Sequence, residues 1–478
     1  MAAGLGLLAQ WLFYATGIGL NLPLAVGALL AAGWLVRSPG RRPHIRDAWV
    51  PFAALFFATF VAIRGDPTLQ LLDGIAALLL AGAALATFAG LPLVDQSVTS
   101  LTWLAARMTR SAMLAAGAHL RGAQHAVPAA WSRGRVRAAI PILRGMLIAL
   151  PLVLLFVALF ASADAVFARI ADDLVSWDLD LGEALGRGLM AAIAAWLAGG
   201  LLVFVASAEH MPGNDDAWPD RPRLGVAEAV TVLVVLDVLF AGFAALQAAY
   251  LFGGLDTLEA SGLTHAQYAR RGFFELLAVA GVAGGLILGL EALVTRRTRA
   301  YLVGSICLVV LTGVVLASAF LRLRLYQDAY GWTELRFYVL AAILWLAIGA
   351  GTTAVALAID RTRWVPRAMV GLSIVFGLAF NVIGPVHHVA VQNVARALHP
   401  ELVAPGGAVG LDAFYLATLG DDALVVLTEA LPYLPEPMRS EASAVLDDRT
   451  RFGPDLRTPS AWQAWNLSRE RARDLLLR

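Results

Sequence analysis

Arg322-Leu-Arg-Leu-Tyr-Gln-Asp-Ala-Tyr-Gly-Trp-Thr-Glu-Leu-Arg-Phe-Tyr338 is short, polar and aromatic, and it joins two strongly apolar runs, Tyr301–Leu321 and Phe337–Ile359. Each run has the roughly 20 residues a helix needs to cross a hydrocarbon core. The same alternation repeats along the chain. Hydrophobic residues make up 59% and charged residues 15%, against about 45–50% and about 25% in soluble chains. An all-α, polytopic transmembrane helical bundle of about 10–11 spans follows from that length pattern.

Working outward from the polar stretch, the other expected spans are Ala48–Ile63, Leu69–Leu93, Ile140–Ala161, Gly188–Ser207, Val226–Leu251, Phe273–Val294 and Ala368–Pro385. Leu5–Val36 is broken at Gly17-Ile-Gly-Leu-Asn21-Leu-Pro23. As one helix it would be roughly 48 Å long, so two short spans, or one span and a re-entrant piece, fit better. A tight turn at Arg64-Gly-Asp-Pro67 separates two of the spans. Residues 1–93 thus form N-terminal transmembrane helices and residues 94–139 an Arg-rich amphipathic connector on the cytoplasmic interface. Residues 140–385 form the helical core. Residues 386–478 form a small helical region outside the membrane, with expected helices over Leu411–Leu419, Asp421–Leu434, Pro437–Asp447 and Ala461–Leu477.

Loop charge orients this ladder. The loops around 37–46, 107–144, 221–223, 296–299 and 361–367 are rich in Arg, and the opposite set carries fewer than half as many. The positive-inside rule places the first set in the cytoplasm. Arg322–Tyr338 and the C-terminal region are then extracytoplasmic. The N-terminus lacks the basic region of a signal peptide, so its apolar start reads as a retained anchor.

Several kinds of chemistry find no support. All 36 basic residues are Arg, so no phosphate loop ends in Gly-Lys. The net charge of +1 gives no field for nucleic acid. Cys307 is the single cysteine. His387, His388 and His399 lack the spacing of a zinc site, and there is no nucleophile elbow. No cofactor, metal or catalytic residue is expected.

The polar residues inside apolar runs are Asp73, Arg144, Glu228, Asp237, Glu275, Glu291 and Asn381. Asp237, mid-span, is the foremost of these. It must find a partner or stay protonated, as a proton relay, a substrate-facing carboxylate or a packing hydrogen bond. Glu275 beside Arg270 and Arg271 reads as an interfacial ion pair. Gly281, Gly285 and Gly289 make a small face suited to helix packing. In the opening stretch, Arg322, Arg324, Tyr326, Asp328, Tyr330, Trp332, Glu334 and Arg336 combine interfacial aromatics with forked donors and acids. Tyr330-Gly331-Trp332 reads as a turn, with Thr333 capping the next helix. The stretch either locks two helices or lines a pocket for a lipid headgroup, glycan or partner helix.

Four passages carry a resemblance: Phe160-Ala-Ser-Ala-Asp164-Ala-Val-Phe167, Tyr268-Ala-Arg270-Arg271-Gly272-Phe-Phe-Glu275, Arg322–Tyr338, and Leu411-Asp412-Ala-Phe-Tyr415-Leu416 with Asp421-Asp422-Ala423. Through them the chain resembles a family of bacterial integral membrane proteins defined as domains of unknown function, of the 4153/4173 type. The resemblance implies an inner membrane and a many-span helical fold, and no established activity. This chain departs from the family's pattern after the last span, where Gly384-Pro-Val-His-His precedes Asn393. The four passages are expected to converge in one polar layer roofed by the C-terminal region, within roughly two helix diameters. The leading function is a non-enzymatic sensory, scaffolding or regulatory membrane protein whose outer face recognises an envelope lipid, glycan or membrane protein. The alternatives are a transporter or flippase using Asp237, and a transferase on a lipid-linked substrate using Asp164 with Arg270 or Arg271.

Overall fold

The structure is a computed structural model. It describes residues 1–37, 43–92, 181–207, 225–252, 273–294, 296–403, 407, 410–452 and 461–477. Among these the chain is all-α, with no strand. The connector 94–139, the span Ile140–Ala161, Arg144, Asp164, Tyr268, Arg270 and Arg271 lie outside the described residues.

The helices run in order α1 (Ala2–Phe13), α2 (Asn21–Val36), α3 (Val50–Val61), α4 (Pro67–Phe88), α5 (Leu181–Ser207), α6 (Val226–Phe252), α7 (Phe273–Leu293), α8 (Arg299–Tyr330), α9 (Glu334–Ala358), α10 (Val365–Ile383), α11 (Pro385–Leu398), α12 (Ala413–Thr418), α13 (Asp421–Ala430), α14 (Met438–Phe452) and α15 (Leu467–Leu476). Four of them, α4, α8, α9 and α10, are long and apolar enough to cross a membrane. The chain is a membrane protein. Exposed side chains such as Val310 and Val314 on α8, and Val375 and Val382 on α10, are the apolar surface that lipid requires.

The chain divides into two compact units. The first holds residues 1–59, 76–211 and 461–464. Here Leu5–Val36 is two helices, α1 and α2, roughly 18 and 24 Å long and each shorter than a hydrocarbon core. Asn21, fully buried, explains the break. Its Nδ2 donates to the carbonyls of Leu12 at 3.1 Å and Gly17 at 2.8 Å, and its Oδ1 accepts from Gly19 N at 2.8 Å. One side chain thus satisfies backbone groups that the interrupted helix leaves open. Gly6 lets α1 lie directly on α5, because a Cβ there would overlap Ala191 and Ala195.

The second unit holds residues 60–75, 212–460 and 465–478. In it α8 packs on α6, α7 and α9, and α9 packs on α10 and α11. Leu308, Leu316, Leu323, Leu233 and Ile287 form the core between the long helices. The C-terminal helices have their own core, in which Leu416, Leu424, Leu427, Leu434 and Ala442 pack with Val386 and Val389 of α11.

Two boundaries differ from the sequence expectation. The apolar run ending at Leu321 is not where the helix ends: α8 continues to Tyr330 and is 32 residues long. Hydropathy falls at Arg322, but nothing there breaks the backbone pattern, and the stop comes from Gly331 at φ 78°. The helical region expected from residue 386 begins with a helix that the sequence reading did not name, α11, with Pro385 in its first turn, where a missing N–H costs nothing. The small face of α7 has no partner among the described residues, since a Cβ at Gly281, Gly285 or Gly289 would meet nothing within 4 Å.

Candidate functional site

The polar stretch folds as a helix end, a three-residue turn and a helix start. Thr333 caps α9 by accepting from Arg336 N at 3.3 Å, and Glu334 stands in the first turn, where the helix dipole favours an acid. Gly331 meets two demands. Its φ is positive, and a Cβ would come within 2.7 Å of Asn393 Oδ1. Asn393, on α11, pairs with the peptide of Trp332: Trp332 N donates to its Oδ1 and its Nδ2 donates to Trp332 O, both at 2.8 Å.

The arginines act in the same way. Arg396 donates to the carbonyls of Asp328 at 2.8 Å and Ala329 at 3.3 Å, which the end of α8 leaves without helical partners. Arg336 donates to Gly331 O at 2.6 Å and lies over the Tyr326 ring at 3.9 Å. Tyr326 and Tyr330 stack at 5.1 Å. Tyr415 of α12 accepts from Glu334 N at 2.9 Å, and burial raises its hydroxyl pKa. Two of the four signature passages therefore meet. Arg322 is buried. Arg324 and Asp328 form an exposed pair at 3.9 Å, of a kind worth little. His388 packs edge-on against Trp332 at 5.0 Å, and burial, aided by His387, lowers its pKa. It serves here as an aromatic wedge.

Asn393→Ala should lower the unfolding free energy by about 1–3 kcal/mol, because both polar groups of the Trp332 peptide lose their partner. Asn393→Asp should lose the bond to Trp332 O, since a carboxylate cannot donate. Thermal unfolding of the detergent-solubilised protein, followed by circular dichroism, checks both.

A second junction forms at Arg64-Gly65-Asp66-Pro67, which the sequence marks only as a turn. The last carbonyls of α3 are capped by the start of α15. Asn466 Nδ2 donates to Val61 O at 3.0 Å and Arg64 O at 2.8 Å. Leu467 N donates to Ala62 O at 2.9 Å and Ser468 N to Ile63 O at 3.2 Å. Gln70 adds a donor to Arg64 O at 2.6 Å. From the other side, Asp421 N donates to Gly65 O at 3.0 Å. Arg64 Nε donates to Asn381 O at 3.0 Å and its Nη2 to Val382 O at 3.1 Å, so it closes the end of α10. Asp66 caps α4 through Leu69 N at 2.9 Å. It is 0% exposed. Burial, with Glu334 and Asp422 adding to it and the Leu69 bond opposing it, pushes its pKa up to about 6.

Below this turn, Asn381 Nδ2 donates to Asp73 Oδ1 at 2.7 Å. Both residues are buried, at 0% and 1% exposure. Asp237, the acid the sequence favours, is only partly buried and is hydrogen-bonded to Cys307 of α8. Glu275 lies in the first turn of α7. At the far end of α8, Glu291 accepts from Tyr301 at 3.0 Å and Thr362 at 3.2 Å, and pairs with Arg297. Among the described residues no three His, Cys, Asp or Glu side chains are grouped to hold a metal.

The profile of one family matches residues 52–430, which covers most of the 478 residues. The chain belongs to that family. It is described as a domain of unknown function, DUF4153. No curated protein and no solved structure matches the chain. Arg64, Asp66, Asp73, Asn381, Asn393, Arg396 and Tyr415 all lie inside the region that defines this DUF4153 member, whereas the Asn466–Ser468 cap lies beyond it. Sequence reading missed Arg64, Asn393 and Asn466 as junction residues. The available signal was an unpaired helix end at Val61 with a Gly-containing turn after it, which must draw donors from somewhere.

Proposed function

We propose that this DUF4153 protein is a non-enzymatic sensory, scaffolding or regulatory protein of the bacterial inner membrane, with its C-terminal helices on the extracytoplasmic side, where they meet an envelope lipid, glycan or membrane protein. One observation carries this reading. Side chains of α11 and α12 bind main-chain groups of the signature stretch, at the end of α8 and the start of α9, and so couple the C-terminal helices to the ends of the long apolar helices. Such an arrangement transmits position.

The experiment is complementation of a deletion strain scored for envelope defects, with matched expression verified by immunoblot. Asn466→Ala and Asn393→Ala, which loosen the junctions, are expected to fail. Asp237→Asn is expected to rescue fully. Rescue by both junction variants combined with failure of Asp237→Asn would overturn the proposal in favour of transport through the intramembrane carboxylate.

A further inference from the structure

At the start of α4, Asp66 interacts electrostatically with three other carboxylates, Asp73, Glu334 and Asp422, and Asp73 with one arginine, Arg64. Asp66 and Asp73 stand seven residues apart on one face of the helix, about 10 Å along its axis. Asp66 is faced by Glu334 from α9 and Asp422 from α13. Asp73 is faced by Asn381, Asp66 and Arg64. Tyr338 of α9 lies within electrostatic reach of Asp66, Glu334 and Asp73, and its hydroxyl is hydrogen-bonded to none of them. Arg64 is already engaged with the carbonyls that end α10. Ser468 donates to Asp422, and Arg469 pairs with the adjacent Asp421 at 3.5 Å.

The polar atoms left over share one property. Asp66 Oδ2, Asp73 Oδ2, Asn381 Oδ1, Asp422 Oδ2 and the Tyr338 hydroxyl are buried with no hydrogen-bond partner. Asn381 is the independent witness, because it is no acid. It is 0% exposed, its amide is committed to Asp73, and its oxygen has no donor. Four of the five atoms can only accept while the acids are ionised, so the site is short of donors. It is also short of positive charge, and ionised carboxylates held out of water without a cation are among the costliest groups to bury. A metal ion would meet both needs only if several ligands converged. The acids on α4 are two turns apart, and among the described residues no suitable ligand group exists. Protons meet both needs one carboxylate at a time.

We propose that Asp66 and Asp73 each bind a proton, Asp66 at the turn and Asp73 two turns deeper. Each uptake takes H⁺ from hydronium, leaves water, and turns a carboxylate into a carboxylic acid whose O–H is a donor. The inference is independent of the sensory or scaffolding role.

The test is a pH titration by infrared difference spectroscopy of the full-length protein in nanodiscs, from about pH 8 to about pH 5, with aspartate labelled at its carboxyl carbon. The wild type should show protonated-carboxyl bands that carry the label shift and gain intensity above pH 5. Asp66→Asn and Asp73→Asn should each remove one band. Wild-type protein without a labelled aspartic-acid band in this range overturns the proposal, whatever the folding of the variants. Bands that survive in both Asn variants overturn it as well. Bands abolished by replacing choline with sodium at constant pH would make this a metal-cation site and overturn it too.

Discussion

Gly420→Ala will release the C-terminal helices from the α3–α4 turn. Gly420 sits at φ 124°, a conformation an alanine adopts only with strain. Its added Cβ would also overlap the Gly65 carbonyl oxygen and lie 3.0 Å from Pro67 Cδ. Neither neighbour is a flexible side-chain tip, so the backbone must separate, and the Asp421 N to Gly65 O bond goes with it. Strain and overpacking together should cost on the order of 3 kcal/mol. Hydrogen–deuterium exchange reads this directly: protection should fall over 421–430 and 467–476 and hold over α8. Gly313→Ala, where a Cβ meets nothing within 4 Å, is the matched control and should leave protection unchanged. Equal loss in both variants would show that the turn is not what holds those helices.

The second large effect is on the pH dependence of stability. Asp66 has a folded-state pKa raised from 3.8 to about 6, chiefly by burial. Between those values the native state holds more protons than the unfolded chain, so the stability contributed by protonation is complete below pH 3.8 and is lost as pH rises through about 6. About two units correspond to roughly 3 kcal/mol. Asp66→Asn keeps the acceptor for Leu69 N and removes the titration. Denaturant unfolding in detergent at several pH values should therefore show the variant gaining on the wild type across that window, with the gap constant above it. Parallel curves for the two proteins would exclude Asp66 as the titrating group.

Much of the fold is legible in the sequence because helix existence follows from long apolar periodic runs, and local signals mark their ends. Thr333 with Glu334, and the turn at Gly331, are visible in four consecutive residues. The end of α8 is not visible, because hydropathy measures preference for lipid and Arg322–Tyr330 is polar while still helical. The site is harder to read for a different reason. The caps on Val61, Ala62 and Ile63 come from residues about 400 positions later, and no local pattern links Asn466 to that helix end. Asp73 and Asp237 look alike as acids in apolar runs. Only the packing distinguishes Asp73, 1% exposed and bound to Asn381, from Asp237, which is partly exposed beside Cys307.

The length of α8 has a mechanical consequence. Its 32 residues span roughly 48 Å, of which about 30 Å matches a hydrocarbon core. The polar end from Arg322 to Tyr330, roughly 13 Å, then stands beyond the acyl chains as a stiff post, held at its tip by Arg396 and Asn393. A thinner bilayer is accommodated by tilting such a helix, and the tilt swings the post's tip farthest. Membrane thickness thereby becomes a displacement of the C-terminal helices, with α8 as the lever arm.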